Sequence, residues 1–322
     1  MKKFLKVLLC IGIVLGLFWG VVNIIPTHKA VEDTNPWRKE DKVLISAHRG
    51  GSELNPENTK MAFDYVIKTT SYTDIVELDV WLTKDNVLAI NHDATVNRMA
   101  LTEGSEDVEV SSHTFEELKA YNLGRNFVDR EGKKPYENLS IEEANKKGLT
   151  IISFEDFLKE YNGYRDFRVF VEIKDKKDKC CLAVDEVEKL LAKDEYKWWK
   201  DRIMFISFTS GVVDHVIENY PGRYVAGMGY GMVPQLAGSV LALDSLFKSE
   251  YQSIQTSMEV KAGPISINCA TKRFVKSAHK RNQCVAYWTI DDEDDMKFLI
   301  NLGTDVITTD CPDVLAKLIG KI

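Results

Sequence analysis

The residues best suited to chemistry lie in one stretch, Leu44 to Asp93. Glu77 and Asp79 stand two apart behind the β-branched pair Ile75-Val76. In a strand, residues i and i+2 project to the same side, so the two carboxylates converge while Leu78 faces away. Converging carboxylates repel, and burying them unpaired is costly unless one stays protonated. A hard divalent cation, which takes oxygen ligands, relieves the repulsion. By spacing alone the pair also reads as two surface acids on an edge strand, but its neighbours argue otherwise. His48-Arg49 ends the apolar run Val43-Leu44-Ile45, and His92-Asp93 ends the run Val87 to Ile90. Histidine changes charge near neutral pH without a large shift, so His48 and His92 suit an acid–base pair. Arg49 offers a fork that matches phosphate oxygens. Farther on, Glu172 and Lys174 share one face of the run Arg168 to Lys174, adding a third carboxylate and a point charge. Such a set combines a cation site, an anion-binding fork and an acid–base pair.

These groups must be held by strands. Each run is short, β-branched and followed by polar residues, the pattern of a buried strand whose C-terminal end opens into a site. Asn55-Pro56 predicts a helix start, with the helix running through Met61, Phe63 and Ile67, and Glu57 is then either a first-turn acid or a site residue. Asp85-Asn86 predicts a hairpin turn. Residues 95–150 are irregular, with one helix over Thr114 to Tyr121, and Ser153 caps the next helix. Strands are expected at Arg168–Lys174, Ile203–Phe208, Tyr224–Met228, Ser253–Gln255, Val285–Ile290 and Val306–Thr308. Helices are expected at Cys181–Leu191, Val212–Asn219, Ser239–Phe247, Lys272–Arg281 and Asp294–Leu302. About eight strand-then-helix units from Val43 onward predict a closed (β/α)8 TIM barrel, an α/β fold, with a small insertion after the second strand. No Gly-rich dinucleotide fingerprint follows the first strand, which argues against an open doubly wound sheet. Asp93 either orients His92 or begins a turn, and Trp288 either stacks on a ligand or fills the barrel mouth. Arg98 is a further candidate for a phosphate contact, whereas His113, His215 and His279 lack any such setting and read as surface.

Several motifs agree in order and spacing with those of a known family. His48-Arg49-Gly50, Pro56-Glu57-Asn58-Thr59, Glu77-Leu78-Asp79, Thr83-Lys84-Asp85, His92-Asp93, Val171-Glu172-Ile173-Lys174, Tyr287-Trp288-Thr289 and Ile307 to Pro312 together resemble the signature of the glycerophosphodiester phosphodiesterase family. The resemblance spans about residues 42 to 318. It departs from the family at Asn86, where Gly is usual, and at Ile152-Ser153, where Pro-Thr is common. It implies hydrolysis of glycerophosphodiesters to an alcohol and glycerol 3-phosphate, with one divalent cation, Ca²⁺ or Mg²⁺, held by Glu77, Asp79 and Glu172. It also implies His48 as base, His92 as acid, Arg49 and Lys174 on the phosphate, Glu57 at the rim and Trp288 against the glycerol part. Alternatives are a phospholipase C/D-like or lysophospholipase D activity on the same barrel, or a membrane-anchored binding protein without turnover.

The 322 residues suffice for a full core, and a net charge of −7 without a Lys/Arg cluster in the sequence argues against nucleic acid as partner. Met1-Lys2-Lys3 and Lys6 precede an apolar run from Val7 to Val22 with bulky residues at its end and no small-residue cleavage site. Residues 1–26 therefore read as an uncleaved single-pass membrane anchor with the lysines inside and the barrel outside the cytoplasm; a cleaved signal is the alternative. Residues 27–41 read as a short polar linker and 42–322 as the barrel domain. Six cysteines form no C-x-x-C pair, and a disulfide among Cys269, Cys284 and Cys311 is left open.

Overall fold

In the computed structural model, which describes residues 2–31, 34–40, 42–209, 211–262 and 265–322, the apolar runs form a sheet that closes on itself. Among the described residues, the parallel strands are β1 (Leu44–Ala47), β2 (Ile75–Leu82), β4 (Arg168–Ile173), β5 (Ile203–Ile206), β6 (Tyr224–Gly227), β7 (Ser253–Thr256), β10 (Cys284–Tyr287) and β11 (Val306–Thr309). They pair around a ring, and β1 closes it by pairing with both β11 and β2. This is the (β/α)8 barrel expected from the strand-then-helix alternation. Among the described residues one antiparallel strand extends it and two more form a separate sheet. β3 (Leu88–Ile90) turns back on β2 through Asn86, which sits at φ 58° as the departure from Gly permits. β8 (Glu259–Ala262) and β9 (Ile265–Asn268) form a separate hairpin that sequence periodicity does not reveal.

Alternation along the strands divides the core in two. On β2, Val76, Leu78 and Val80 face the surrounding helices, whereas Ile75, Glu77 and Asp79 face the barrel axis. Leu44, Ile75, Phe170, Met204, Ala226, Cys284 and Val306 fill the axis toward the N-terminal strand ends. Trp37 completes that layer. It is fully buried, stacks on Phe170 at 5.3 Å between ring centroids and meets Tyr224 edge-on at 5.6 Å. Asn35 fixes the approach, donating to the carbonyls of Gln252 and Asn282, both at 2.8 Å. The segment read as a linker is thus partly a plug across the closed end of the barrel; Glu32, Asp33 and Asp41 of it, like Met1 of the proposed anchor, lie outside the described residues.

Several boundaries move for local reasons. The helix expected from Asn55 begins at Lys60, because Asn58 takes a left-handed conformation and Thr59 is the cap, accepting from the Ala62 N–H at 3.3 Å. Glu57 is therefore not a first-turn acid. The helix placed at Ser239–Phe247 lies at Val233–Leu241, started by Pro234 and stopped at left-handed Ala242. In the insertion the helix is Phe115–Leu118, with a Thr114/Glu117 capping box. A second helix, Ile141–Lys146, carries a Ser140/Glu143 capping box that could have been read from the S-x-x-E spacing. All six cysteines are free, and His215 and His279 are half-buried partners of Asp185 (2.7 Å) and Asp305 (2.8 Å) rather than open surface. The N-terminal helix α1 (Lys2–Ile24) is long and apolar enough to cross a membrane.

Trp37→Ala empties a site enclosed by the barrel wall and should cost about 3–5 kcal/mol of stability, the usual range for a buried aromatic. Urea unfolding of the full chain measures this; a loss below about 1 kcal/mol would mean that the closed end does not depend on the plug.

Candidate active site

The open end of the barrel holds the acids. Glu77 and Asp79 project inward from β2, and the register that sets Asp79 opposite Glu172 brings in the third carboxylate from β4. One oxygen from each lies within 4.8 Å of the others, and all three side chains are nearly inaccessible to solvent. Burial, and then the charge of Asp79, pushes the carboxyl groups of Glu77 and Glu172 above the usual range. The set fits a hard divalent cation: three buried carboxylates converge, and Asp79 Oδ1 accepts no hydrogen bond.

Two cations already lean on this cluster. Lys174, one residue past β4, places Nζ 3.1 Å from Glu172 Oε1 and 3.4 Å from Asp79 Oδ1. Burial opposes its charge, but Asp79 and Glu172 outweigh burial and raise its pKa. Arg49 lies where the chain leaves β1 in three successive left-handed residues, Arg49, Gly50 and Gly51. A Cβ on Gly50 would stand 3.0 Å from Ala62 Cβ and 3.1 Å from the Phe63 ring, so the turn needs glycine for space as well as for its positive φ. The turn aims the Arg49 N–H at Glu77 Oε2, 2.9 Å away, and sets its Nε 3.7 Å from Asp79. The Arg49 guanidinium also donates to Glu57 at 3.1 and 3.2 Å. Glu57 is shared with Arg98, whose guanidinium reaches on to Asp93 at 2.6 Å. Asn58, left-handed like Arg49, donates from Nδ2 to Asp79 Oδ2 at 2.8 Å.

Each histidine has a carboxylate behind it. His48 Nδ1 lies 2.6 Å from Asp310 Oδ1, just past β11, and its Nε2 is 4.0 Å from Glu77. Burial would lower the His48 pKa, but the Asp310 hydrogen bond and the charges of Glu77 and Asp310 outweigh it and push it up to about 9. Ser52 Oγ donates to the same Asp310 oxygen. His92 Nδ1 lies 2.6 Å from Asp93 Oδ1, an orienting contact, and the chain also bends here. The hydrogen bond from His92 holds the Asp93 carboxyl well below the usual range, with Arg98 adding to it. His92 stands close enough to Glu172 to act on its ionisation. Asp310 was visible in the late motif, but nothing in its spacing pairs it with His48; that needs β11 beside β1. Trp288, one residue past β10, caps the apolar axis and meets Phe208 edge-on at 5.2 Å, with its buried Nε1 unpaired. The sequence assigns no role to Phe208.

The structure thus gathers Glu77, Asp79, Glu172, Lys174, Arg49 and His48 at the mouth, keeps His92 within electrostatic reach of Glu172, and leaves Trp288 with Phe208 on the rim. Comparison with known proteins identifies the family. Residues 48–314 match the sequence model of the glycerophosphoryl diester phosphodiesterase family. A glycerophosphodiester phosphodiesterase from Caldanaerobacter subterraneus is 31% identical over 282 residues, covering 87% of this chain and 99% of its own. Among solved structures, a glycerophosphodiester phosphodiesterase from Parabacteroides distasonis superposes with a TM-score of 0.60 at 20% identity, over 88% of this chain and 99% of that one. An Oleispira antarctica phosphodiesterase in complex with sn-glycerol 3-phosphate has a TM-score of 0.62 at 18% identity, covering 86% of this chain and 96% of that one. Those structural likenesses speak to the fold, while the match from His48 onward and the near full-length relative speak to descent: the chain belongs to the glycerophosphoryl diester phosphodiesterase family.

Proposed function

We propose that this barrel hydrolyses glycerophosphodiesters to an alcohol and glycerol 3-phosphate, with His48 and His92 as the acid–base pair and Glu77, Asp79 and Glu172 holding one divalent cation, Ca²⁺ or Mg²⁺. The carrying observation is the convergence of three buried carboxylates at a mouth where His48 and Arg49 also stand. When bound, the cation supplies positive charge for the phosphoryl oxygens. Arg49 binds the phosphate through its guanidinium, and Glu57 holds that guanidinium in place. Lys174 gives a second positive charge on the side of β4. The product in the Oleispira antarctica complex, sn-glycerol 3-phosphate, has the chemistry expected of such a site.

In the reaction, His48 Nε2 takes the proton of the attacking hydroxyl, which can be the glycerol 2-hydroxyl itself, giving a cyclic phosphate. The bond from phosphorus to the head-group oxygen breaks, and His92 gives that oxygen its proton. Water then opens the cyclic phosphate with the proton transfers reversed. Asp310 fixes the tautomer that presents His48 Nε2, and Asp93 does the same for His92. A base must start neutral, and the charge of Glu77 is one of the influences keeping His48 protonated. Neutralising Glu77 therefore also prepares His48. Trp288 and Phe208 offer apolar ring surface for the carbon skeleton of glycerol. At the N-terminus, α1 anchors the chain in a membrane with the barrel outside the cytoplasm.

Replacing either histidine with Ala should lower turnover of glycerophosphocholine by about 10²–10⁴ while largely sparing metal affinity. A nitrophenyl diester needs little acid, so it should selectively rescue His92→Ala. Near-normal turnover in either single variant would end the acid–base reading.

The metal reading makes two linked demands. Glu77→Gln should weaken Ca²⁺ or Mg²⁺ binding on the order of tenfold or more, with activity partly restored by excess metal. Because burial and neighbouring charge hold protons on Glu77 and Glu172 above the usual carboxylate range, binding at neutral pH should release protons. Metal affinity should then fall as pH drops and level off once the carboxyls ionise. Calorimetry in buffers of different ionisation enthalpy reads the release; normal metal binding by Glu77→Gln would disprove this ligand set.

The anchor reading is checked by protease added to intact cells, which should digest the barrel and leave a membrane-bound stub containing α1. A mature chain beginning after Trp19 or Pro26 would instead identify a cleaved signal.

A further inference from the structure

One helix of the barrel is built inside out. Val233–Leu241 buries both of its polar side chains, Gln235 and Ser239, and presents only apolar residues outward. Val233, Val240 and Leu241 are 47, 56 and 59% exposed, with Pro234 and Ala237 between them on the surface. Positions 233, 237, 240 and 241 follow the i, i+4, i+7, i+8 spacing of a single helix face. Leu246, 49% exposed in the following turn, extends it. A soluble barrel would place polar residues there, since outward helix faces contact water.

The face is continuous with α1. Trp19 Nε1 donates to the Leu241 carbonyl at 3.3 Å, Asn23 Nδ2 to the Ala242 carbonyl at 3.0 Å, and Ser245 Oγ to the Val22 carbonyl at 2.6 Å. Val22 is buried in that junction, whereas most of α1 is bare. The last turns of α1 therefore fix the depth of the Leu241 end. The neighbouring helix, Lys272–Lys280, adds a second feature. It packs on Val233–Leu241 and exposes Lys272, Arg273 and Lys276, with no acidic residue in the helix, on a chain whose net charge is −7; Lys280 is paired with Asp244 at 3.1 Å. An apolar face bordered by a basic ridge matches the boundary between acyl chains and anionic headgroups.

We propose that the outward face of Val233–Leu241 is a second membrane contact, seated in the surface of the bilayer that α1 spans, with the basic helix on the lipid headgroups. The proposal rests on the reading of α1 as an anchor. Barrel helices run opposite to their strands, so the face extends from the closed end at Leu241 toward the mouth at Val233. The barrel consequently lies on its side, with the mouth at the height of the lipid surface rather than held away from it on a flexible tether.

The test uses the full chain in vesicles of phosphatidylcholine and phosphatidylglycerol, some carrying nitroxides on both shallow and deep acyl positions. An environment-sensitive fluorophore is attached to Cys10 in a Cys181→Ser background. In a Cys10→Ser, Cys181→Ser background it is attached at Val233→Cys, Val240→Cys or, on a helix across the barrel, Lys159→Cys. Thermal unfolding confirms that each variant is folded. Cys10, Val233 and Val240 probes should lose most of their emission to the nitroxides and shift to the blue, while Lys159 keeps its emission. A quenched Cys10 with Val233 and Val240 behaving like Lys159 overturns the second contact and leaves the anchor standing. An unquenched Cys10 removes the anchor and the proposal with it.

Discussion

Three carboxylates held inside a barrel repel one another, and much of the surrounding structure answers that repulsion. At separations of up to 4.8 Å each pair of full charges would cost about 3–4 kcal/mol even at an effective dielectric of about 20. Lys174 and Arg49 lean in from β4 and from the exit of β1, the Arg49 N–H and Asn58 amide donate into the cluster, and protons stay on Glu77 and Glu172 above the ordinary range. Residual charge of this kind favours a bound cation and, with it, an anionic phosphate.

The two ends of the barrel are built from opposite materials by the same alternation. Toward the N-terminal strand ends the inward positions are Leu44, Ile75, Phe170 and Met204, sealed by Trp37. Toward the C-terminal ends they become Ser46, Glu77, Asp79 and Glu172. A tightly packed, largely apolar floor below a polar cluster lowers the effective dielectric where the carboxylates meet. It also ties the site to residues far from it, because Trp37 and Asn35 come from a segment that precedes β1 and close the floor from below.

The histidines illustrate how a fold gives like residues different surroundings. Both stand past strand ends and both have a carboxylate on Nδ1, but Asp93 is the immediate neighbour of His92 whereas Asp310 reaches His48 from the other end of the chain. His48 is deeper in the acid cluster and answers to Glu77. His92 sits by an acid that its own hydrogen bond, and then Arg98, hold ionised.

Much of the site was legible in the sequence because strand geometry is periodic. The E-x-D spacing alone puts Glu77 and Asp79 on one face, the spacing of Glu172 and Lys174 does the same on β4, and repeated apolar runs imply a closed parallel barrel. What the sequence could not hold is distance between elements. That Asp310 backs His48 follows only from β11 lying beside β1, and that Asp79 faces Glu172 follows only from the register of β2 with β4. Trp37 looked like part of a polar linker because its partners, Phe170 and Tyr224, are more than a hundred residues away. The helix expected over Ser239–Phe247 lies instead at Val233–Leu241, with Val233, Val240 and Leu241 turned outward. Periodicity identifies a face, but only packing decides whether that face meets the core or the surroundings, and here the inward side was already taken up by Gln235, Leu236 and Ser239.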